Sequence, residues 1–586
     1  MRRLLVLIPL ALLLLLAGMV VFPRTNRDEP PDFSFFNRGD IKTLDPNRMS
    51  WAQDIRIGYA LWEGLYRLDP ETLDPELGSA ERVEVSDDKT VYTFHIRGSA
   101  KWSNGDDLQA KDYVFAWRRM LEEPDEYSYL LFYMKGARPY SEAFAKDVAV
   151  GKTFDKAVGV EVLGPKTLRV RLEHPVAFFP DLCAFPPYFP LHEPSMRPFR
   201  VVDDESGRVS YSGKFTRPPH LVSNGPFRLH AWKFKGRLRM MRNEHYWDVA
   251  NVKSRIIDQV YGEGQVAFEM YDRGEVDWHL GIELMPEISA NLKAAGRTDL
   301  HVWPGFGTYF YSFNCLPTLP GGRRNPFADV RVRQALSMAV DKRPIVETVT
   351  RMGEPVTSNY IPPTIFPKYP VPQGLPYDPQ RARKLLAEAG YPGGAGFPEV
   401  GLLFNNDAHH GDIAQIVRRQ WQKELGVNVT LEGVEIKIFG DRLHNQEYDV
   451  ARASWIGDYN DPSTFTDKYL SYSEQNDSKW NSPEYDKLCN QAAVEADVNK
   501  RLDMLSKAEA ILLREAPILP MYSYVNVDLH RANVFGANKH PKNMVAWKEI
   551  GKHKTPPRED SPGRANTPTA AADSNPAIDS TPGAAR

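Results

Sequence analysis

The spacing of apolar residues changes repeatedly along this chain, and that alternation constrains its fold more than any other feature. Val91-Tyr92-Thr93-Phe94-His95-Ile96 alternates with period two, which sets Tyr92, Phe94 and Ile96 on one face of a strand. Val160 and Val162, then Leu168, Val170 and Leu172, flank Gly164-Pro165 and predict a hairpin. Val332, Ala335, Leu336, Ala339 and Val340 fall at helical spacing behind Asp329, an N-cap. Arg381 to Ala389 predicts a second helix, stopped by Gly390 and Pro392, and Leu502 to Leu513 a third. No fixed-period repeat is present. Strands mixed with helices over 586 residues exceed one small core and predict an α/β body in more than one lobe.

The two ends differ from this body. Arg2 and Arg3 precede an apolar run from Leu4 to Phe22, broken only by Pro9 and Gly18. A basic start followed by an apolar stretch is an export signature. At about 1.5 Å per residue the run also spans most of a bilayer core, so residues 1–24 are read as a signal peptide or an uncleaved membrane anchor. Leu16-Ala17-Gly18 resembles the start of a lipoprotein cleavage site, but Met19 stands where the lipidated Cys would be. A thioether to lipid needs a thiol, so lipidation is not expected. Residues 553–586 are rich in Pro, Ala, Thr and Ser and nearly lack large apolar side chains. Such a tail buries too little surface to offset its ordering entropy and is expected to be disordered.

Charge and motifs narrow the function. A net charge of −3 offers no field for nucleic acid or an anionic membrane surface. The three cysteines, Cys183, Cys315 and Cys489, are odd in number and form no CxxC pattern. His409-His410-Gly411-Asp412 resembles a metal-ligand run, but adjacent histidines in a strand point to opposite faces, and no third ligand has a recognisable spacing. Gly262-Glu263-Gly264 and Gly393-Gly394-Ala395-Gly396 complete neither a dinucleotide fingerprint nor a phosphate loop. There is no GxSxG elbow, and spacing picks out no pair among the 76 acidic residues. No catalytic residue, metal or cofactor is assigned, and the chain is not expected to be an enzyme.

A series of short blocks resembles the oligopeptide- and dipeptide-binding proteins of ABC importers. Thr43-Leu44-Asp45-Pro46 and Leu61-Trp62-Glu63-Gly64-Leu65 open the series. Phe94-His95-Ile96-Arg97, Lys101-Trp102-Ser103-Asn104-Gly105-Asp106 and Ala110-Lys111-Asp112-Tyr113-Val114-Phe115-Ala116-Trp117 form its most diagnostic stretch. Asn224-Gly225-Pro226-Phe227, Tyr246-Trp247, Phe327 to Ala335, Ala387 to Tyr391, Asp449 to Trp455 and Pro520 to Val525 follow in family order. The resemblance covers roughly residues 33 to 550.

That resemblance implies a two-lobed periplasmic-binding-protein type II fold, a Venus flytrap with an extra subdomain in the first lobe. Lobe 1 would comprise residues 33–62, 198–306 and 526–552 as subdomain I and 63–197 as subdomain II. Lobe 2 would be 307–525, with crossings near Phe306 and Val525. The implied function is capture of short peptides between the lobes and delivery to an ABC permease, as a periplasmic or extracytoplasmic monomer. A membrane-tethered peptide sensor or chaperone, or an extracytoplasmic hydrolase, are the alternatives.

A buried peptide must have both terminal charges neutralised, because an isolated buried charge is costly. By resemblance, Asp458 would pair with the α-ammonium, while Arg452 and His410 would serve the C-terminal side. Trp455 would wall a side-chain pocket, and Tyr129 would contact ligand. Without the family context, an Arg and an Asp six apart are more often a solvated or structural pair. Some positions depart from the pattern: Ile436 stands for an aromatic, Ser312 and Ser50 for acids, and Thr350 for a lysine that Arg351 would replace. The family's disulfide positions are Gly307 and Ile456, so that crosslink is absent.

Overall fold

The computed structural model describes residues 29–553 except 38, 73, 263, 282–285, 407–408 and 474. The segment expected to direct export or anchoring, and the expected tail apart from His553, lie outside these residues. Among the described residues no helix is long and apolar enough to cross a membrane.

Fourteen strands build two sheets. In chain order they are β1 (Phe33–Asn37), β2 (Ala80–Val85), β3 (Val91–Ile96), β4 (Val160–Gly164), β5 (Thr167–Arg171), β6 (Phe227–Trp232), β7 (Arg237–Arg242), β8 (Ile256–Val260), β9 (Trp278–Leu280), β10 (Leu300–Phe313), β11 (Val400–Asn405), β12 (Val429–Val434), β13 (Val450–Ile456) and β14 (Ile518–His530). The larger sheet runs β6-β7-β8-β1-β9-β14-β10-β13-β11-β12, and the smaller runs β2-β3-β5-β4. β1 pairs parallel with both neighbours, as does β11, while β10 is antiparallel to β13 and β14.

Local sequence accounts for these elements. In β3 the predicted alternation holds, with Tyr92, Phe94 and Ile96 buried and the residues between them half-buried. β4 and β5 form the predicted hairpin, Val160 facing Val170. The helices α1 (Ala110–Glu122), α2 (Val330–Met338), α3 (Pro379–Glu388), α4 (His410–Leu425) and α5 (Val498–Glu515) cover the faces. Asp329 caps α2 by accepting from Arg331 N at 2.9 Å, which satisfies one of the helix's otherwise unpaired N–H groups. α3 ends at Gly390, whose φ of +98° favours glycine. The His409–His410 pair sits at the start of α4 and not in a strand. A helical turn, rather than pleat alternation, therefore sets the direction of each ring.

The apolar interior divides. The largest cluster draws on Phe33 to Leu280, on Tyr459, and on Val534, Val545, Trp547 and Ile550. Two further clusters draw on residues 306–522 and cover opposite faces of β10 and β13. β10 and β14 run side by side between these groups, giving an α/β molecule of two lobes. Their register shifts between the pairs Pro304–Val525 and Thr308–Ser523, a bulge at Gly305-Phe306-Gly307.

Candidate ligand-binding cleft

Asp458 stands just beyond the end of β13, where the chain must turn sharply. Gly457 makes the turn possible: a Cβ there would sit 1.9 Å from the Phe306 ring. Gly457 N donates to Phe306 O at 2.9 Å, and Asp458 N donates to Thr464 Oγ1 at 2.9 Å. Trp455 Nε1 donates to Thr464 O at 2.7 Å, so one threonine holds both residues. Asp461 caps the following turn through Ser463 N and forms a bidentate buried ion pair with Arg501 of α5. The acidic turn is thus braced against a long helix.

Between the lobes lies a cavity of about 500 Å³. Tyr129, Tyr133 and His174 line it from one side, and Trp455, Asp458 and Asp467 from the other. Tyr459 stacks on Phe178 across the boundary, with ring centroids 4.3 Å apart and planes at 14°. Burial pushes the Asp458 carboxyl up to about 6, although Tyr127 donates to it and the charge of Lys542 opposes the shift. A carboxylate partly shielded from solvent gains more from an incoming cation than it would in water.

Arg452 and His410 form a separate polar group. The Arg452 guanidinium lies over the Tyr309 ring at 5.3 Å, and Tyr309 Oη is 3.3 Å from His410 Nδ1. Tyr309 also stacks on Tyr522 at 4.9 Å. Burial, then the neighbouring Arg452 charge, pushes His410 down to about 3, so the imidazole is neutral at pH 7. Arg452 Nε is buried without a hydrogen-bond partner. This pair offers one fixed positive charge and one neutral imidazole, a combination suited to an anion.

Of the five residues singled out by resemblance, the structure brings Asp458, Trp455 and Tyr129 to one cavity. It groups Arg452 with His410 on the other face of β13, because three residues of strand reverse the side-chain direction between Arg452 and Trp455.

Two residues at Asp458 carry no signal in the sequence. Tyr127 Oη donates to Asp458 Oδ1 at 2.8 Å. Lys542 Nζ donates to the Asp458 carbonyl and lies 5.5 Å from the Phe185 ring and 5.8 Å from the Phe306 ring. Its segment is pinned beside the bulge of β10, where Phe306 N donates to Pro541 O at 3.1 Å and Trp303 Nε1 to His540 O at 2.9 Å. Burial pushes Lys542 down to about 8.

Residues 74–477 match the family model for bacterial extracellular solute-binding proteins, family 5. The chain belongs to that family. Family 5 proteins are binding proteins, so this chain is not an enzyme, and its fold is the two-lobed type II form. It is 34% identical over 488 residues to the oligopeptide-binding protein OppA of Bacillus subtilis, covering 81% of this chain and 84% of that one. It is 32% identical over 524 residues to the periplasmic oligopeptide-binding protein OppA of Salmonella typhimurium, covering 88% and 91%. Among solved structures it resembles the murein tripeptide binding protein MppA of Escherichia coli, with a TM-score of 0.74, 28% identity and coverage of 89% and 99%. Haemophilus influenzae OppA in complex with RPPGFSPFR gives a TM-score of 0.72 and 28% identity, with coverage of 90% and 99%.

The departures of this family 5 protein have structural counterparts. Gly307 and Ile456 face one another across β10 and β13, and a Cβ on Gly307 would lie 2.4 Å from Ile456 Cδ1. Isoleucine thus fills the space the absent crosslink would occupy, and the three cysteines are free thiols. Ser312 is buried within β10, 3.4 Å from Tyr448 Oη, and Ile436 is 46% exposed at the start of a helix. Thr350 Oγ1 donates to Glu354 at 2.6 Å, and Arg351 Nε donates to Thr348 O at 2.9 Å within its own turn.

Proposed function

We propose that this protein captures short peptides between its lobes and delivers them to the permease of an ABC importer. Lobe 1 consists of residues 33–62, 198–306 and 526–552 with the 63–197 subdomain, and lobe 2 of residues 307–525. β10 and β14 serve as the hinge strands between them. The observation that carries this reading is the half-buried carboxylate of Asp458 on the wall of the inter-lobe cavity, its pKa raised by desolvation. It accepts the peptide's α-ammonium, Arg452 beside neutral His410 holds the carboxylate end, and Trp455 and Tyr129 wall the side chains. The names of the relatives, which bind oligopeptides or a murein tripeptide, point to the same ligand class.

Native mass spectrometry of the purified protein tests this reading. Short peptides should co-purify with the wild type, and Asp458→Asn should lose them. Equal occupancy in both proteins ends the ammonium role of Asp458. Loss of labelled-peptide uptake in cells lacking the protein supports delivery, and undiminished uptake counts against it.

A further inference from the structure

A second cavity, of about 300 Å³, lies between the 59–76 and 538–549 stretches and is closed by Ala184, Phe189, Pro226 and Tyr246. That volume is at the lower end of the range for pockets that enclose small molecules. None of the described residues that line it lines the inter-lobe cavity. Peptide capture makes no use of it.

Five buried polar groups of its lining residues have no hydrogen-bond partner among the described residues: Trp62 Nε1, His540 Nε2, Tyr59 Oη, Arg67 Nη1 and Asn538 Oδ1. Trp62 and His540 are only 2% and 1% exposed. Buried polar groups are nearly always paired, so five of them around one cavity point to a partner that enters it. The imidazole has a defined role. Lys542 N donates to His540 Nδ1 at 3.1 Å, which leaves the ring proton on Nε2. Burial pushes His540 down to about 3, so the ring is a neutral donor at pH 7.

Charge restricts what that partner can be. The lining carries five acids, Glu63, Asp69, Glu71, Glu76 and Glu549, against two bases, Arg67 and Lys548. Both bases are engaged, Arg67 Nη2 with Glu76 at 3.0 Å and Lys548 Nζ with Asp248 at 2.8 Å. Glu63 accepts from Tyr246 Oη and Trp247 Nε1. An excess of acid repels an anion. The unpaired groups are mostly N–H donors, which offer nothing to an ammonium. A neutral molecule rich in oxygen satisfies both conditions: its oxygens accept from Trp62, His540 and Arg67, and one of its hydroxyls donates to Asn538. Leu68, Phe189, Met544 and Val545 supply the apolar surface against which the C–H face of a sugar ring packs.

We propose that this cavity is a second ligand site, for one neutral sugar ring, with Trp62, His540 and Tyr59 as its hydrogen-bonding wall. It stands independently of the ammonium role of Asp458.

Titration calorimetry of the full chain with glucose, galactose and N-acetylglucosamine tests it. At least one of the three should bind the wild type. Tyr59→Phe should weaken that binding by about threefold to tenfold, the worth of one neutral hydrogen bond, and so should Trp62→Phe. The Tyr59 hydroxyl has no partner among the described residues, so its removal should not lower the melting temperature of the protein without sugar. Tyr59→Phe therefore reads binding even where Trp62→Phe does not fold. If none of the sugars binds, the site is overturned. An affinity that Tyr59→Phe leaves unchanged places the sugar elsewhere and overturns it as well.

Discussion

The Tyr127 hydroxyl donates to the Asp458 carboxylate at 2.8 Å, joining residues 331 positions apart and on opposite sides of the cleft. The bond does two things at once. It ties the lobes, and it stabilises the ionised form of a carboxyl that burial would otherwise keep protonated at higher pH.

Tyr127→Phe should therefore weaken peptide binding by about threefold to tenfold, the net worth of one hydrogen bond to a charged group. The Asp458 carboxyl should titrate at a higher pH than in the wild type. Titration calorimetry across a pH series reads both effects, and an unchanged affinity and pH profile would separate Tyr127 from the site.

The pH dependence of binding has a definite sign. Holding an ammonium requires an ionised Asp458, which in the ligand-free protein carries its proton below about 6. Affinity should rise with pH through that value, by at most about tenfold per pH unit on the acid side, and level off between there and about 8, where Lys542 titrates. Asp458→Asn should flatten the profile. A wild-type profile falling from pH 5 to 7 would contradict this.

Lys542 places a cation beside the position proposed for the peptide's own ammonium. Lys542→Met should raise affinity for peptides with free N-termini by about threefold or more, because the competing charge is gone. It should also lower the melting temperature, since the Asp458 carbonyl loses its buried donor. Burial leaves Lys542 at about 8, so the wild-type affinity should approach that of the variant above that pH.

Gly307→Ala should destabilise the protein by about 1–3 kcal/mol, the usual cost of overpacking. The new Cβ would lie 2.5 Å from the Trp455 carbonyl as well as against Ile456. Thermal denaturation reads the loss, and weaker peptide binding should accompany it because β13 carries Trp455 into the cavity.

The alternating residues of β3, the Asp329 cap of α2 and the Gly390 stop of α3 were legible in the sequence, since each depends on neighbours within a few positions. The Arg452-to-Asp458 block could be read as a unit only through its resemblance to the family. Its division was not legible: Trp455 and Asp458 face the cavity, whereas Arg452 turns to Tyr309 and His410. The strand assumed around His409 and His410 is a helix start instead.

By itself, then, the sequence determined the alternation of strands and helices, the order of the family's blocks and the acidic turn after β13. Only the tertiary structure decided what surrounds that turn. Tyr127 and Lys542 reach Asp458 from 331 and 84 residues away, and Arg501 reaches Asp461 from 40 residues away. Local patterning specifies which groups a strand end can present. The environment that shifts their protons and selects their partners is set by burial between lobes, and burial depends on segments that meet only when the chain is folded.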